Sequence, residues 1–429
     1  SKRQDNCSSS VLSEWLTADC VTKIRRAASV KLPSSTTATN ALSCLKSGTQ
    51  SIDECLSLKV RGKLAALVPI SHLWHSTRLG SSVKHYDQSQ KPGVPLRLGF
   101  VPLSDCAPIA VAMETGIFAR YGLNVVLSRE LGWTSVRDKI FYGDLDAAQS
   151  ISGIAFALGM GFSELRCEVA VPLILNLHGN AITLSNDFLP SEIGKGEGLP
   201  SFLTHHWKRD RPFTLAATHR FSSHHILLHQ WLKRYGLSAP TDVEIIFLPP
   251  PLMPRHLKAG HIDGYCVGEP WNSESVLAGT GWCPVTSSDL SHGHPEKVLL
   301  VSGKLLHERK DESIALVAAL LDACRLCQDP AFRNDMISIL ALKDYTGAAE
   351  DVLRNSLGSQ FNTGAGVTSA SVFHVFHGDS VNRPTVEKAS WVLAGLRNVG
   401  ILPDVTCGSL SRIYREDLFR TATQCSQGA

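Results

Sequence analysis

The chain has 429 residues, of which 43% are hydrophobic and 19% are charged. This is the composition of a globular protein, and it excludes a chain that is disordered throughout. The 42 lysines and arginines are balanced by 39 aspartates and glutamates, so the composition gives no signal for direct binding to nucleic acid. No stretch reaches the roughly 18 to 20 apolar residues of a membrane-spanning helix. We therefore predict no transmembrane segment.

The cysteines give no sign of a disulfide framework or a metal centre. The chain has 12 cysteines, scattered without the pairing seen in small secreted domains. Cys324 and Cys327 form a CxxC, but it lies inside a helical pattern and no second CxxC exists, so we predict no metal and no cofactor. Unpaired thiols favour a reducing compartment, and the polar stretch Ser1–Ser10 lacks the core of a signal peptide. We expect a cytoplasmic protein. Since the first residue is not Met, a periplasmic or membrane-associated protein with a removed signal is the alternative.

Residues 1–92 form a separate extension. It ends in a polar stretch closed by Pro92-Gly93, a pair that typically marks a boundary. The extension carries no motif with recognisable chemistry, and its role stays open.

The remaining region, residues 93–429, alternates strands and helices. The apolar pattern predicts strand 96–100, helix 107–121 capped by Asp105, strand 125–127, helix 135–141, strands 146–149, 172–177, 181–184 and 213–217, helix 223–235, strand 243–248 and helix 254–259. This alternation predicts parallel sheets with helices on both faces, an α/β fold.

Two such units predict two lobes. We place lobe 1 at about 93–185 and 298–429, and lobe 2 at about 186–297. In open α/β sheets, ligands bind beyond the carboxyl ends of the strands, where helix N-termini favour anions. A cleft between the lobes would suit a small anion.

Several segments resemble a known family. They are DCAP at 105–108, ETGIF at 114–118, YGL at 121–123, Trp133 with RDK at 137–139, GDLDAA at 143–148, NL at 176–177 with GNAIT at 179–183, DGYCVGEPWN at 263–272 and HPEK at 294–297. Over about 94–400 they resemble the nitrate/nitrite-binding members of the ABC-type nitrate/sulfonate/bicarbonate solute-binding family, most closely the cytoplasmic nitrate/nitrite sensors. The resemblance implies a type II periplasmic-binding-protein fold, in which two α/β lobes enclose a ligand cleft.

The resemblance also implies reversible binding of nitrate or nitrite. Two uses share this chemistry: a sensor that holds or releases an antiterminator-type regulator, and the substrate-binding component of an ABC importer. The missing signal and the unpaired cysteines favour the sensor. The alternatives are a bicarbonate or sulfonate binder of the same family, or a thiamine-precursor binder or enzyme on the same fold. Because the sequence has no GxSxG, P-loop, HExxH or GxGxxG after a strand, we predict that the protein is not an enzyme.

A nitrate site needs donors only. Nitrate offers three acceptor oxygens, so it suits N–H groups, one positive charge or helix N-terminus, and a flat wall. Trp133 follows Gly132 at a strand-to-helix junction, where its indole N–H would donate; an ordinary core tryptophan is the alternative. Gln149 lies just after a buried run, and its amide would donate.

Further candidates lie at the turn before helix 223–235. The resemblance puts an anion-binding histidine in this turn, and His219 fits best, with Ser222, Ser223 and His224 as secondary candidates. The neighbouring histidines have near-helical spacing, but no carboxylate or cysteine ligands accompany them, so we predict no zinc.

Lys297 is the most informative residue. The resemblance implies that nitrate binders carry a lysine here, whereas bicarbonate binders carry an acidic residue and recruit calcium. Gly268, in GEPW, would shape the cleft floor, and Glu269 would be a structural hydrogen-bonding partner. His178 departs from the small polar residue of the family pattern.

Overall fold

The computed structural model describes residues 94–162, 164–207, 210–370, 372–378, 380–402 and 410–426. The expected extension 1–92 lies outside the described residues. Within the described ranges, no helix is long and apolar enough to cross a membrane.

Two five-stranded sheets form the centre of the fold. The strands are β1 (Leu96–Phe100), β2 (Val125–Arg129), β3 (Ala147–Ile151), β4 (Val169–Ile174), β5 (Leu177–His178), β6 (Asn180–Ser185), β7 (Thr214–Ala217), β8 (Glu244–Phe247), β9 (Gly264–Gly268), β10 (Gly281–Thr286), β11 (Lys297–Ser302), β12 (Gln360–Asn362), β13 (Val367–Ser369) and β14 (His374–Val375). The first sheet has the order β2-β1-β3-β11-β4, and the second has the order β10-β6-β9-β7-β8. Strands buried on both faces, such as β3, β4 and β11, explain the continuous apolar runs in the sequence.

Helices cover both sheets. They are α1 (Ala107–Glu114), α2 (Ile117–Arg120), α3 (Trp133–Tyr142), α4 (Ser152–Met160), α5 (Pro190–Ile193), α6 (Leu199–His205), α7 (Ser223–Arg234), α8 (Met253–Lys258), α9 (Trp271–Leu277), α10 (Ser287–Leu290), α11 (Gly303–Glu308), α12 (Lys310–Gln328), α13 (Arg333–Ala341), α14 (Glu350–Leu357), α15 (Val386–Asn398), α16 (Leu410–Ile413) and α17 (Glu416–Ser426). The CxxC cysteines lie in the buried face of α12, where burial raises the pKa of the Cys324 thiol. They are core residues of the first lobe.

The predicted single helix 107–121 is two helices. Gly116 separates α1 from α2 with a φ of 70°, in the left-handed region that glycine adopts without strain. The prediction that Asp105 caps this helix is also wrong. Cys106 occupies the N-cap position and no side chain caps it, because the Asp105 carboxylate is buried among other partners.

The sheets are mixed, not purely parallel as predicted. β1 runs parallel to β2 and β3, but β11 is antiparallel to β3 and β4. β11 enters from the other lobe, so it starts at the cleft where β3 ends, and Lys297 lies opposite Ile151. β6 enters the second sheet in the same way and pairs antiparallel with β9 and β10. The predicted lobe boundary near 185 is therefore one strand too late, since the sequence pattern identifies strands but not their partners.

Short crossing segments connect the sheets. β5 lies in the first crossing and pairs with β14, and Leu177 forms a bridge with Pro295 of the second crossing. His178 has a φ of 59°. Its Nε2 accepts from the Gly293 N–H at 2.6 Å, so its Nδ1 is the donor to the Val372 carbonyl at 2.8 Å. The unusual histidine thus joins three segments at the crossings.

The two lobes touch across the cleft. The Ser104 N–H of the first lobe donates to the Glu269 carbonyl of the second at 2.6 Å, and the Trp271 indole donates to the Pro102 carbonyl at 3.2 Å. At the other side, a Cβ added to Gly153 of α4 would lie 2.0 Å from the Phe221 carbonyl oxygen. Only glycine permits this approach of the two backbones.

Candidate functional site

Lys297 lies at the centre of a buried polar cluster in the cleft. Its ammonium is fully buried and lies 2.6 Å from Oε1 of Glu296 and 2.9 Å from Oδ2 of Asp105. Burial alone would lower the pKa of Lys297, but the two carboxylates outweigh it and raise the pKa above its ordinary value. The lysine is therefore a permanent positive charge at the cleft end of β11.

Asp105 connects Lys297 to Gln149. The Gln149 amide N–H donates to Oδ1 of Asp105 at 2.5 Å, while its carbonyl accepts from the Val101 N–H at 3.0 Å. Oδ2 of Asp105 is buried and is paired with the Lys297 ammonium alone, at 2.9 Å. Burial raises the pKa of Asp105 to about 6, although Lys297 opposes the shift. Asp105 is thus the less firmly ionised of the two carboxylates.

Glu296 is held by donors from the second lobe. The Ser223 hydroxyl donates to Oε1 at 2.8 Å, and the Asn180 amide donates to Oε2 at 2.7 Å. Burial opposes its ionisation, but the adjacent charge of Lys297 outweighs burial and lowers the pKa of Glu296 to about 2. This carboxylate therefore remains charged at any physiological pH.

His224 is a neutral member of the cluster. It is fully buried, and this burial lowers its pKa to about 3. Its Nε2 lies 3.1 Å from Oδ1 of Asn180, and its Nδ1 lies 2.9 Å from the Thr218 hydroxyl. Because the Asn180 oxygen can only accept, Nε2 carries the proton. His224 thereby fixes the amide that holds Glu296.

Trp133 and Gly268 form the walls around the ammonium. The Lys297 Nζ lies 5.3 Å from the centre of the Trp133 ring, and the indole Nε1 is buried without a hydrogen-bond partner. A Cβ at Gly268 would lie 3.3 Å from Oδ1 of Asn180 and 3.4 Å from Oδ2 of Asp105. A larger residue would therefore crowd the polar cluster. An anion bound here could accept a hydrogen bond from the unpartnered indole N–H and could pair with the buried ammonium.

His219 lies apart from this network. Its Nδ1 accepts from the Phe221 N–H at 3.2 Å, and burial lowers its pKa to about 4, with the charges of Arg137 and Arg220 acting in the same direction. The structure thus brings together the predicted residues Trp133, Gln149, Ser223, His224, Gly268 and Lys297, with His219 outside their hydrogen bonds.

Sequence reasoning missed three members of the cluster. Asp105 was interpreted as a helix cap, and Asn180 and Glu296 entered only as parts of resembling segments. One signal was available for Asp105: it precedes the apolar helix α1, where a carboxylate must be buried with a partner. Glu269 lies beside the cluster, where its Oε2 accepts from the Ser273 N–H.

The chemistry of these groups is that of binding. They supply the Lys297 ammonium, the Trp133 indole N–H and the Gln149 amide. Buried strands and a helix N-terminus hold these groups in position. Within the described ranges, no three or more His, Cys, Asp or Glu side chains are grouped to hold a metal.

Two α/β lobes joined by crossing segments around a buried polar cluster define the type II periplasmic-binding-protein fold. The predicted fold class is confirmed by a solved structure, the periplasmic nitrate-binding protein NrtA from Synechocystis PCC 6803, with a TM-score of 0.74 and 25% identity. The match covers 78% of this chain and 89% of that one.

The chain belongs to the NMT1-like family, whose model matches residues 89–341. It is 34% identical over 335 residues to the nitrate import ATP-binding protein NrtC of Synechocystis sp., and 35% identical over 335 residues to the bicarbonate transport ATP-binding protein CmpC of the same organism. Each match covers 77% of this chain and 50% of the relative, so the chain spans about half the length of these relatives. The resemblance to the nitrate/sulfonate/bicarbonate family is confirmed.

Proposed function

We propose that the protein is a reversible receptor for nitrate or nitrite and works with an ABC importer. The observation that carries the proposal is the fully buried ammonium of Lys297 beside the unpartnered N–H of Trp133, at the junction of the two lobes. The likeness to NrtA and NrtC supports nitrate as the ligand and import as the process.

Contact between the two lobes completes the site. Trp133, Gln149, Asp105 and Lys297 come from the first lobe, while Ser223 and Gly268 come from the second. An anion bound between them is withdrawn from water only when the lobes meet. Each donor to a charged ligand contributes roughly 1.5–3 kcal/mol, so four or five donors suffice for micromolar binding, about −8 kcal/mol, after the cost of association. The proposed role is binding and release without catalysis.

An importer is better supported as the partner than a regulator. The relatives are named as transport components, and NrtA is named as periplasmic. Our expectation of a cytoplasmic sensor with an antiterminator-type partner has no counterpart among them. We therefore propose a component of nitrate import in place of the sensor.

Bicarbonate is the second candidate. The likeness to CmpC is as strong as that to NrtC. Moreover, two carboxylates, Asp105 and Glu296, lie beside Lys297. The lysine favours nitrate, since it supplies the charge that the resemblance implies for nitrate binders.

Isothermal titration of the purified chain distinguishes these ligands. The panel is nitrate, nitrite, bicarbonate with calcium, sulfate and an aliphatic sulfonate. The proposal predicts micromolar binding of nitrate or nitrite. Binding of bicarbonate alone would select the second candidate, and heat from none of the anions would reject both.

A further inference from the structure

Asp105, Glu296 and Lys297 form a triad with unequal charges. Two carboxylates share one ammonium, and all three side chains are fully buried. With every group ionised, the triad carries a net charge of −1. A further anion in the same buried space would meet a negative site, which a low-dielectric interior penalises strongly.

The two carboxylates differ in how they are held. Glu296 receives hydrogen bonds from Ser223, Asn180 and Lys297. Asp105 receives one from Gln149 at Oδ1, and its buried Oδ2 is paired with the Lys297 ammonium alone, at 2.9 Å. Because Gln149 donates to Oδ1, a proton on the carboxyl group has its place on Oδ2.

We propose that the site binds its anion together with one proton from solvent, which is added to Oδ2 of Asp105. This inference depends on the proposed oxyanion function. The neutral carboxyl group then donates its O–H to the anion, and Lys297, freed from one of its two counterions, turns its charge to the anion. No covalent bond breaks in the protein, and the net charge of triad plus ligand stays at −1. Asp105 is thus a ligand-binding residue and the proton is a co-ligand.

The surroundings of Asp105 agree with this assignment. The charged groups that face it are Lys297 and Glu296, and the Cys106 thiol is adjacent in the chain. Burial raises the pKa of Asp105 to about 6, so the carboxylate accepts a proton far more readily than Glu296 does. A carboxylic acid donor also matches a ligand that has acceptors only.

Other buried groups are possible proton acceptors and serve as controls. Glu269 is a buried carboxyl group whose pKa is raised to about 7 by burial, and its Oε1 has no hydrogen-bond partner. His224 and His294 lie 3.6 and 3.7 Å from Glu296, and burial lowers the pKa of both. Glu269→Gln is therefore the matched control for Asp105→Asn, since both remove a buried carboxyl group.

The experiment is nitrate titration of the full chain at pH 7.5 in HEPES and in Tris, whose ionisation enthalpies differ. The difference in observed heat gives the number of protons taken up per anion. We expect about one proton for the wild type and for Glu269→Gln, with affinity falling about tenfold per pH unit above pH 7. For Asp105→Asn we expect uptake near zero and an affinity that is independent of pH.

Three outcomes would overturn the inference. Nitrate binding without proton uptake in the wild type would reject it and leave the oxyanion function intact. Uptake that persists in Asp105→Asn but is lost in Glu269→Gln would assign the proton elsewhere. No binding of any anion would reject the proposed function together with the inference. The wild-type uptake and its pH dependence decide the matter even if Asp105→Asn does not fold.

Discussion

At the scale of single residues, the site depends on Glu296, which combines two roles. It neutralises Lys297 at 2.6 Å and joins it to Asn180 and Ser223 of the second lobe. A buried ion pair of this kind contributes little net stability, because desolvation offsets the attraction. Its value lies in fixing the position of the ammonium.

The indole N–H of Trp133 is the simplest group to test. Trp133→Phe keeps an aromatic wall beside Lys297 but removes the unpartnered donor. Loss of one hydrogen bond to a charged ligand, roughly 1.5–3 kcal/mol, should weaken nitrate binding by about tenfold or more. Trp231→Phe is the control, because that indole donates to the Lys195 carbonyl inside the second lobe. Equal affinities of both variants in calorimetry would remove Trp133 from the site.

The sequence predicted which residues line the site better than it predicted their contacts. Gln149 stood out because it follows a buried run, Trp133 because it lies at a strand-to-helix junction, and Lys297 because of the family resemblance. Asp105 was misread, since an acidic residue before a helix is typically a cap. Only the fold brings its carboxylate next to β3 and β11. There it accepts a hydrogen bond from Gln149 and forms an ion pair with Lys297.

At the scale of elements, α4 controls how closely the lobes meet. Gly153→Ala would place a methyl group 2.0 Å from the backbone oxygen of Phe221 in the other lobe. Backbone cannot yield as a side chain does, so we expect incomplete closure and at least about tenfold weaker nitrate binding, equivalent to about 1.4 kcal/mol. Small-angle X-ray scattering with nitrate should show a larger radius of gyration than for the wild type.

Gly159→Ala, in the same helix, is the matched control. Its added methyl group would meet the Ile413 Cδ1 at 2.8 Å, the end of a flexible side chain. This variant should close and bind as the wild type does. If Gly153→Ala also binds nitrate with unchanged affinity, the observed lobe contact has no part in ligand capture.

Strand and helix positions were largely predictable, whereas strand partners were not. The period-two and helical patterns gave β1, α7 and β8 nearly to the residue, because local burial determines them. The antiparallel entry of β6 and β11 depends on where the chain crosses between lobes. No local pattern encodes that crossing, and the lobe boundary was misplaced for this reason.

At the scale of the whole molecule, buried histidines should make stability depend on pH. Burial lowers the pKa of His178, His219 and His225 to about 4, and of His224 and His374 to about 3. A lowered histidine pKa stabilises the fold above the unfolded value of 6.5, and this contribution is lost as the pH falls towards the folded value.

Two buried carboxyl groups act in the opposite direction. Burial raises the pKa of Asp105 to about 6 and that of Glu269 to about 7. As the pH falls, these two groups are protonated in the folded state before they are protonated in the unfolded state, which stabilises the fold. Counting only the five histidines and two carboxyl groups with the largest shifts, the net difference is about three protons. Each is worth about 1.4 kcal/mol per pH unit, so stability should fall by up to about 4 kcal/mol per unit below pH 6. Urea unfolding at pH 7, 6 and 5.5 measures this loss of stability. A urea midpoint that stays constant over these pH values would contradict the assignment of neutral histidines.

The central claim, that Lys297 supplies the charge that binds the oxyanion, is tested by nitrate titration of Lys297→Met. Removing one partner of a buried ion pair costs roughly 3–5 kcal/mol of stability, so thermal unfolding must first show that the variant is folded. Lys388→Met is the control, since that half-buried ammonium donates to the Val381 and Arg383 carbonyls away from the cluster. The account predicts that Lys388→Met binds nitrate as the wild type does and that folded Lys297→Met shows no measurable binding. Nitrate binding of wild-type strength in Lys297→Met would contradict it.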